Sequence, residues 1–177
     1  MKHVDVVVAQ RAPVDRLVEV LTTDPASVFQ PDAPRETRDT GRFRCDLTID
    51  VADGTTLRHG VDVQVGRATH TGRGVTLALH FEPVAHRHLL PVFDGELEAR
   101  AAGAASQLVL SGGYTVPLGV VGRLGDALAG HRAVEKSLQH LASELAQRLE
   151  AAAEKVHGAG PIEAPPQPVQ QSDYYLG

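Results

Sequence analysis

From Phe43 onward the chain alternates apolar and polar residues in one segment after another, a pattern that suits strands with one buried face and one wet face. Phe43, Cys45, Leu47, Ile49 and Val51 alternate with Arg44, Asp46, Thr48 and Asp50 without a break. Asp53-Gly54 follows, a hairpin-turn pair. Leu57, His59, Val61, Val63 and Val65 then share one side against Arg58, Asp62 and Gln64, and beyond a Gly72/Gly74 turn Val75, Leu77, Leu79 and Phe81 repeat the pattern. Phe93, Leu97 and Ala99 form the next set, and Leu108, Leu110, Gly112, Tyr114 and Val116 the last. The spacing predicts a meander of antiparallel strands.

The flanks read differently. Val4, Val6 and Val8 predict a first strand, Pro13 opens a short helical run with Val14, Leu17, Val18 and Leu21, and Asp24-Pro25 starts a second short helix. After Pro117 the period becomes helical, with Leu124, Leu128, Val134, Leu138, Leu141, Leu145 and Leu149 on one stripe. Arg132, Glu135, Lys136, Gln139, Glu144, Gln147, Arg148 and Glu150 are expected on the opposite, wet side. A one-faced sheet and a one-striped helix bury their apolar surfaces together only if the helix lies across the sheet, which is an α+β arrangement. From Gly158 the composition turns to GAGPIEAPPQPVQQSDYYLG, with four prolines and no periodicity. The expected organisation is therefore a domain over 1–157 and a disordered Pro-rich tail over 158–177.

Composition removes several function classes. Seventeen basic residues against 22 acidic, a net charge of -5 and no run of like charges make nucleic acid an unexpected partner. The apolar run Val6 to Ala9 is too short for a signal-peptide core or a membrane span, so neither secretion nor stable membrane insertion is expected. One cysteine, Cys45, makes no internal disulfide and no zinc framework, and a reducing, cytoplasmic setting is the simplest expectation. The GGYTVPLGVVG stretch lacks the Lys-Ser/Thr ending of a phosphate loop and no GxSxG is present, so neither nucleotide hydrolysis nor covalent catalysis is expected, and no cofactor is called for.

Four segments carry a resemblance: QRAPVDRLVEVLTTDPASVF at 10–29, PVFDGELEA at 91–99, GGYTVPLGVVGRLGD at 112–126 and HRAVEKSLQHLASELAQRLE at 131–150. Together with the element order they make the chain from Val4 to Glu150 resemble the START-like, helix-grip (SRPBCC) superfamily, and within it the polyketide cyclase/dehydrase and lipid-transport proteins. The opening lacks the tryptophan many relatives carry in the second short helix; Phe29 lies in that neighbourhood. The resemblance implies a curved antiparallel β-sheet wrapped around the long C-terminal helix, with an apolar cavity between them open near the short helices. Gly60, Gly66, Gly95, Gly112 and Gly113, at strand positions, fit a bent sheet. The implied function is a carrier or sensor of a small hydrophobic ligand such as a lipid, isoprenoid or polyketide-like molecule. A cyclase/dehydrase-type enzyme is the second reading, and a protein-interaction module using the tail, with Tyr174-Tyr175-Leu176 as a docking motif, the third.

His131 sits three residues after Leu128 and three before Val134, which puts it on the apolar stripe. It could orient a ligand hydroxyl or carbonyl, act as a general base, or be a core-edge histidine bonded to backbone or solvent. His59 and Tyr114 are inward by alternation and join it as candidate catalytic groups or as structurally satisfied ones. The expected ligand-binding set is His59, Val61, Leu79, Phe81, Phe93, Leu97, Leu110, Tyr114, Leu128 and His131. His80 falls outward while His86 and His88 lie beyond Pro83, so no metal site is expected. Asp94, Glu96 and Glu98 alternate on the wet face as mutually repelling, solubilising carboxylates, and Cys45 is inward and inert.

Overall fold

The computed structural model describes residues 1–32, 41–50, 56–85, 91–115 and 127–158. In chain order these form β1 (Lys2–Gln10), α1 (Val14–Thr23), α2 (Ala26–Phe29), β2 (Arg42–Asp50), β3 (Thr56–Thr71), β4 (Gly74–Pro83), β5 (Val92–Ala102), β6 (Ala105–Thr115) and α3 (Ala127–Gly158). β2 to β6 pair successively as an antiparallel meander, and β1 returns to pair with β6, giving the order β1-β6-β5-β4-β3-β2. The alternation identifies the buried face. Val75, Leu77, Leu79, Phe81, Phe93, Leu97, Ala99, Leu108, Leu110 and Tyr114 are all buried in one cluster. The residues between them on each strand point the other way, as the pleat requires.

β3 runs six residues beyond Val65, where the alternation loses phase, and ends at Thr71. A bulge between Val65 and Ala68 is the reason: Gly66 and Arg67 together face Ala78, and the inward positions then resume at Ala68, opposite Leu77. A second device bends the sheet between β5 and β6, where Gly95 pairs directly with Gly112. A Cβ on Gly95 would lie 2.2 Å from the Ser111 carbonyl oxygen and 2.6 Å from Phe93 Cζ, so the Phe93 ring covers this bare patch of backbone. Phe93 in turn stacks on Phe81 with centroids 5.0 Å apart.

The helix α3 packs along both edge strands, β1 and β2, and against α1 and α2. Only a curved sheet brings its two edges to one helix, and the architecture is α+β with the helix-grip arrangement. Leu138, Leu141, Leu145 and Leu149 are at most 2% exposed, and Ala133, Ala142, Ala146 and Ala153 widen the buried stripe with small side chains that permit close approach. α1 lies over the inner face of β4, β5 and β6 with Leu17, Val20 and Leu21 buried. α1 thus covers part of the inner face beside the short helices.

Three residues expected on the wet side of α3 bond inward instead. Arg148 Nη1 donates to the Phe29 carbonyl oxygen at 3.4 Å, tying α3 to the end of α2. Glu135 is taken up by Tyr114. The carboxylate oxygen Oε1 of Glu150 accepts from the Arg11 amide at 2.9 Å, the Ala12 amide at 3.2 Å and Arg11 Nε at 3.2 Å. The turn from β1 into α1 leaves those amides without strand partners, and this side chain supplies one. Glu150→Ala should therefore lower the unfolding free energy by about 1–3 kcal/mol, read as a fall in the urea midpoint with the slope unchanged.

Cys45 is buried and its thiol donates to the Phe29 carbonyl oxygen at 3.0 Å. Burial pushes its pKa up to about 11, so it is a thiol rather than a nucleophilic thiolate at neutral pH. Val51, Asp53-Gly54, Val116, Leu124 and the tail from 159 onward lie outside the described residues, and α3 ends at Gly158, one residue past the expected domain edge. Among the described residues no helix is long and apolar enough to cross a membrane.

Candidate functional site

One inner row of the sheet leads to the long helix. Phe81, Phe93 and Tyr114 stand side by side on β4, β5 and β6, and beyond Tyr114 comes His131, near the start of α3. The Tyr114 and His131 rings meet edge to face with centroids 6.0 Å apart. Glu135, one helical turn after His131, shares its side of α3, and Tyr114 Oη donates to Glu135 Oε1 at 3.1 Å. Helical spacing alone brings His131 and Glu135 together; the strand register delivers the phenol to them.

Tyr114 is 1% exposed. Burial first, and then the hydrogen bond and charge of Glu135, push its pKa up to about 12, which keeps the phenol protonated and donating at neutral pH. His131 is half-buried, and its Nδ1 is a buried atom with no hydrogen-bond partner among the described residues. The candidate site therefore combines a phenol donor held by a carboxylate with an imidazole nitrogen of unused hydrogen-bonding capacity, beside the buried Phe81 and Phe93 pair. The sequence pattern does not single out Glu135 as a site candidate. Its place four residues after His131 is the available signal.

The other expected lining residues lie in three places. Val61, Leu79, Phe81, Phe93, Leu97 and Leu110 are each at most 3% exposed and packed into the common core, so the deep part of the inner face is occupied by the protein's own side chains. His59 is half-buried on β3, opposite Leu47 of β2 and three strands from Tyr114 in the sheet order. Leu128 lies in the first turn of α3, outside the residues whose side chains are described. A hollow of about 490 Å³ between the short helices and the C-terminal half of α3, with Val20, Pro31, Arg148, Ala152 and Val156 on its walls, contains none of the expected lining residues.

On the outer face His80 pairs with Asp94, its neighbour across the strands, and Glu98 with Arg100 at 3.1 Å. These carboxylates are held by cations or histidine, where the sequence pattern suggests only mutual repulsion. His86 and His88 lie outside the described residues. A serine, a histidine and an aspartate also meet on this face, but Ser111 Oγ donates to Asp5 Oδ1 at 2.6 Å and His3 Nε2 bonds the same oxygen at 3.2 Å. That hydroxyl bond, the largest cause, holds the Asp5 carboxyl below its usual range. His3 Nε2 also stands 3.5 Å from Ser111 Oγ, but nucleophile activation needs the serine proton directed at the histidine with the aspartate behind it, and here that proton goes to the aspartate, so this trio is wired for surface order.

No protein-family model matches the chain, and no curated protein matches it in sequence. Among solved structures it is similar to TTHA0849 from Thermus thermophilus, with 18% identity over 85% of this chain and 99% of that one and a TM-score of 0.47. It is similar also to the di-domain ARO/CYC BexL from the BE-7585A biosynthetic pathway, with 12% identity over 86% of this chain and 50% of that one and a TM-score of 0.49. With the Zhui aromatase/cyclase from Streptomyces sp. R1128 the identity is 22%, over 90% of this chain and 98% of that one, and the TM-score is 0.51. That last likeness is one of fold, and the shared fold is the helix-grip fold, as the element order shows.

Proposed function

We propose that the chain binds a small, mainly apolar molecule of the lipid, isoprenoid or polyketide-like kind at the end of the inner face marked by Tyr114, His131 and Glu135, as a carrier or sensor. The observation that carries this reading is His131 Nδ1, a buried ring nitrogen that has no partner among the described residues and stands beside a satisfied phenol. A buried polar atom without a partner costs free energy, and a ligand that supplies the bond recovers it. The fold shared with an aromatase/cyclase supports the choice of ligand class. Because the inner face is closely packed, the ligand enters by displacing side chains at this end. At about 25 cal/mol per Å², burying roughly 300 Å² of apolar surface contributes several kcal/mol before ordering costs, which suits micromolar affinity.

Native mass spectrometry of the freshly purified protein, followed by solvent extraction, tests this directly. The expected result is an apolar compound at near-stoichiometric level, or uptake of Nile red by the empty protein. His131→Phe, which keeps the ring and removes both nitrogens, should weaken binding of the extracted compound about five- to tenfold with little change in Tm. A protein that is empty and takes up no Nile red would remove the binding reading.

The second reading is a cyclase/dehydrase-type reaction, favoured by the phenol and carboxylate standing beside an imidazole. Tyr114 would turn its proton from Glu135 to a substrate carbonyl while His131 receives a proton from carbon. Turnover of a polyketide-like substrate that survives unchanged in Tyr114→Phe and His131→Phe would exclude these groups from it.

A further inference from the structure

The hydrogen-bonding capacity left over at this site is unequal. Tyr114 has committed its proton to Glu135 Oε1, so its oxygen has only lone pairs to offer. Glu135, when ionised, is an acceptor alone. His131 Nδ1 accepts in one tautomer and donates in the other. A ligand hydroxyl suits all three groups, because it donates to Glu135 or to the phenol oxygen and can serve Nδ1 in either tautomer. A ketone or an ether can serve only a protonated Nδ1, and a carboxylate would bring a second negative charge beside Glu135 in a partly desolvated setting.

Resting on the binding reading above, we infer that the ligand of this site is a neutral apolar molecule bearing a hydroxyl group, and that Glu135 with His131 selects it against both the corresponding ether and the corresponding acid.

The test uses three probes of one shape, 2-naphthol, 2-methoxynaphthalene and 2-naphthoate, titrated calorimetrically into the full chain and into Glu135→Gln. In the wild type 2-naphthol should bind about tenfold tighter than its methyl ether, and 2-naphthoate weakest of the three. Glu135→Gln keeps the shape and removes the charge. It should bring 2-naphthoate up by about tenfold while 2-naphthol falls, an inversion that a purely structural role for Glu135 would not produce. Equal binding of naphthol and ether, or tightest binding of naphthoate, overturns the selection while leaving apolar binding intact. Failure of all three to bind, with the fold intact by circular dichroism, overturns the binding reading and the selection with it. Should Glu135→Gln not fold, the wild-type ranking decides by itself, and His131→Phe, in which the preference for naphthol over its ether should narrow, gives the second arm.

Discussion

Leu110→Arg should abolish the cooperative folding transition. Leu110 is 0% exposed and stands between Leu97 of β5 and Val6 of β1 in register on the inner face. A guanidinium there cannot shed its proton. The buried polar residues among those described are Gln10, Ser106 and Ser137, none of which carries a charge to meet it. An unpaired buried charge together with overpacking exceeds about 4 kcal/mol, a large part of the roughly 5–15 kcal/mol that holds a domain of ordinary stability. The expected readout is loss of the sigmoidal urea transition followed by circular dichroism, with Leu110→Met, which conserves volume, costing under about 1.5 kcal/mol. A Leu110→Arg protein with a native transition would mean that the inner face holds open space, as the resemblance alone implies.

Gly112→Ala should be nearly as damaging although it adds a single methyl group. The new Cβ would lie 2.5 Å from the Asp94 carbonyl oxygen, 2.6 Å from Gly95 Cα and 2.7 Å from Phe93 Cζ. Two of these atoms belong to the backbone of β5, so relief requires the paired strands to part, and the third belongs to a ring stacked on Phe81. The loss should reach about 3 kcal/mol, at the upper end for overpacking. Gly113, the next residue, is the internal control. A Cβ on it would meet only the flexible Met1 side chain within 3.5 Å, and Gly113→Ala should therefore cost under about 1 kcal/mol. Similar urea midpoints for the two variants would show that the sheet tolerates a side chain at the Gly95 and Gly112 pair.

The contrast between those two glycines shows what a linear pattern carries and what it leaves out. Alternation identifies the inward residues from Val75 to Phe81 and from Phe93 to Ala99, because a pleat turns sequence parity into sidedness wherever the strand is regular. Parity fails at Gly66, since an extra residue at a bulge reverses the phase, and the final stretch of β3 is hidden from it for that reason. Helical spacing likewise finds the leucine stripe of α3 but assigns Glu135, Arg148 and Glu150 to water. Each is held by a partner distant in sequence: a phenol on β6, the end carbonyl of α2 and the amides after β1. Charged residues read as solvent-facing until the group they satisfy is known.

The candidate site was legible to the same degree. His131 and Tyr114 follow from stripe and alternation, and the structure brings them together; Glu135 completes them only once the register of β6 against the helix is known. His59 satisfies the same inward rule as Tyr114 but lies three strands away, because alternation specifies a face and not a position on it. The apolar residues expected as lining are inner-face residues, and period-two spacing specifies that face without specifying what packs against each of them.

The position of β1 beside β6 also sets an order of events. Every other neighbouring pair in the sheet joins strands consecutive in the chain, so β2 to β6 can zip together hairpin by hairpin as they are made. β1 leaves the ribosome before any of them, yet its partner is the last strand, with Gln10 against Ser106 at one end of the pairing and Lys2 against Tyr114 at the other. Until β6 exists, the valines of β1 have no edge to join, and closing nearly the whole domain into one loop is the entropic toll of that final pairing. The strand that begins the fold is therefore one of the last that the growing chain can put in place, and a holdase that shields Val4, Val6 and Val8 would act in that interval.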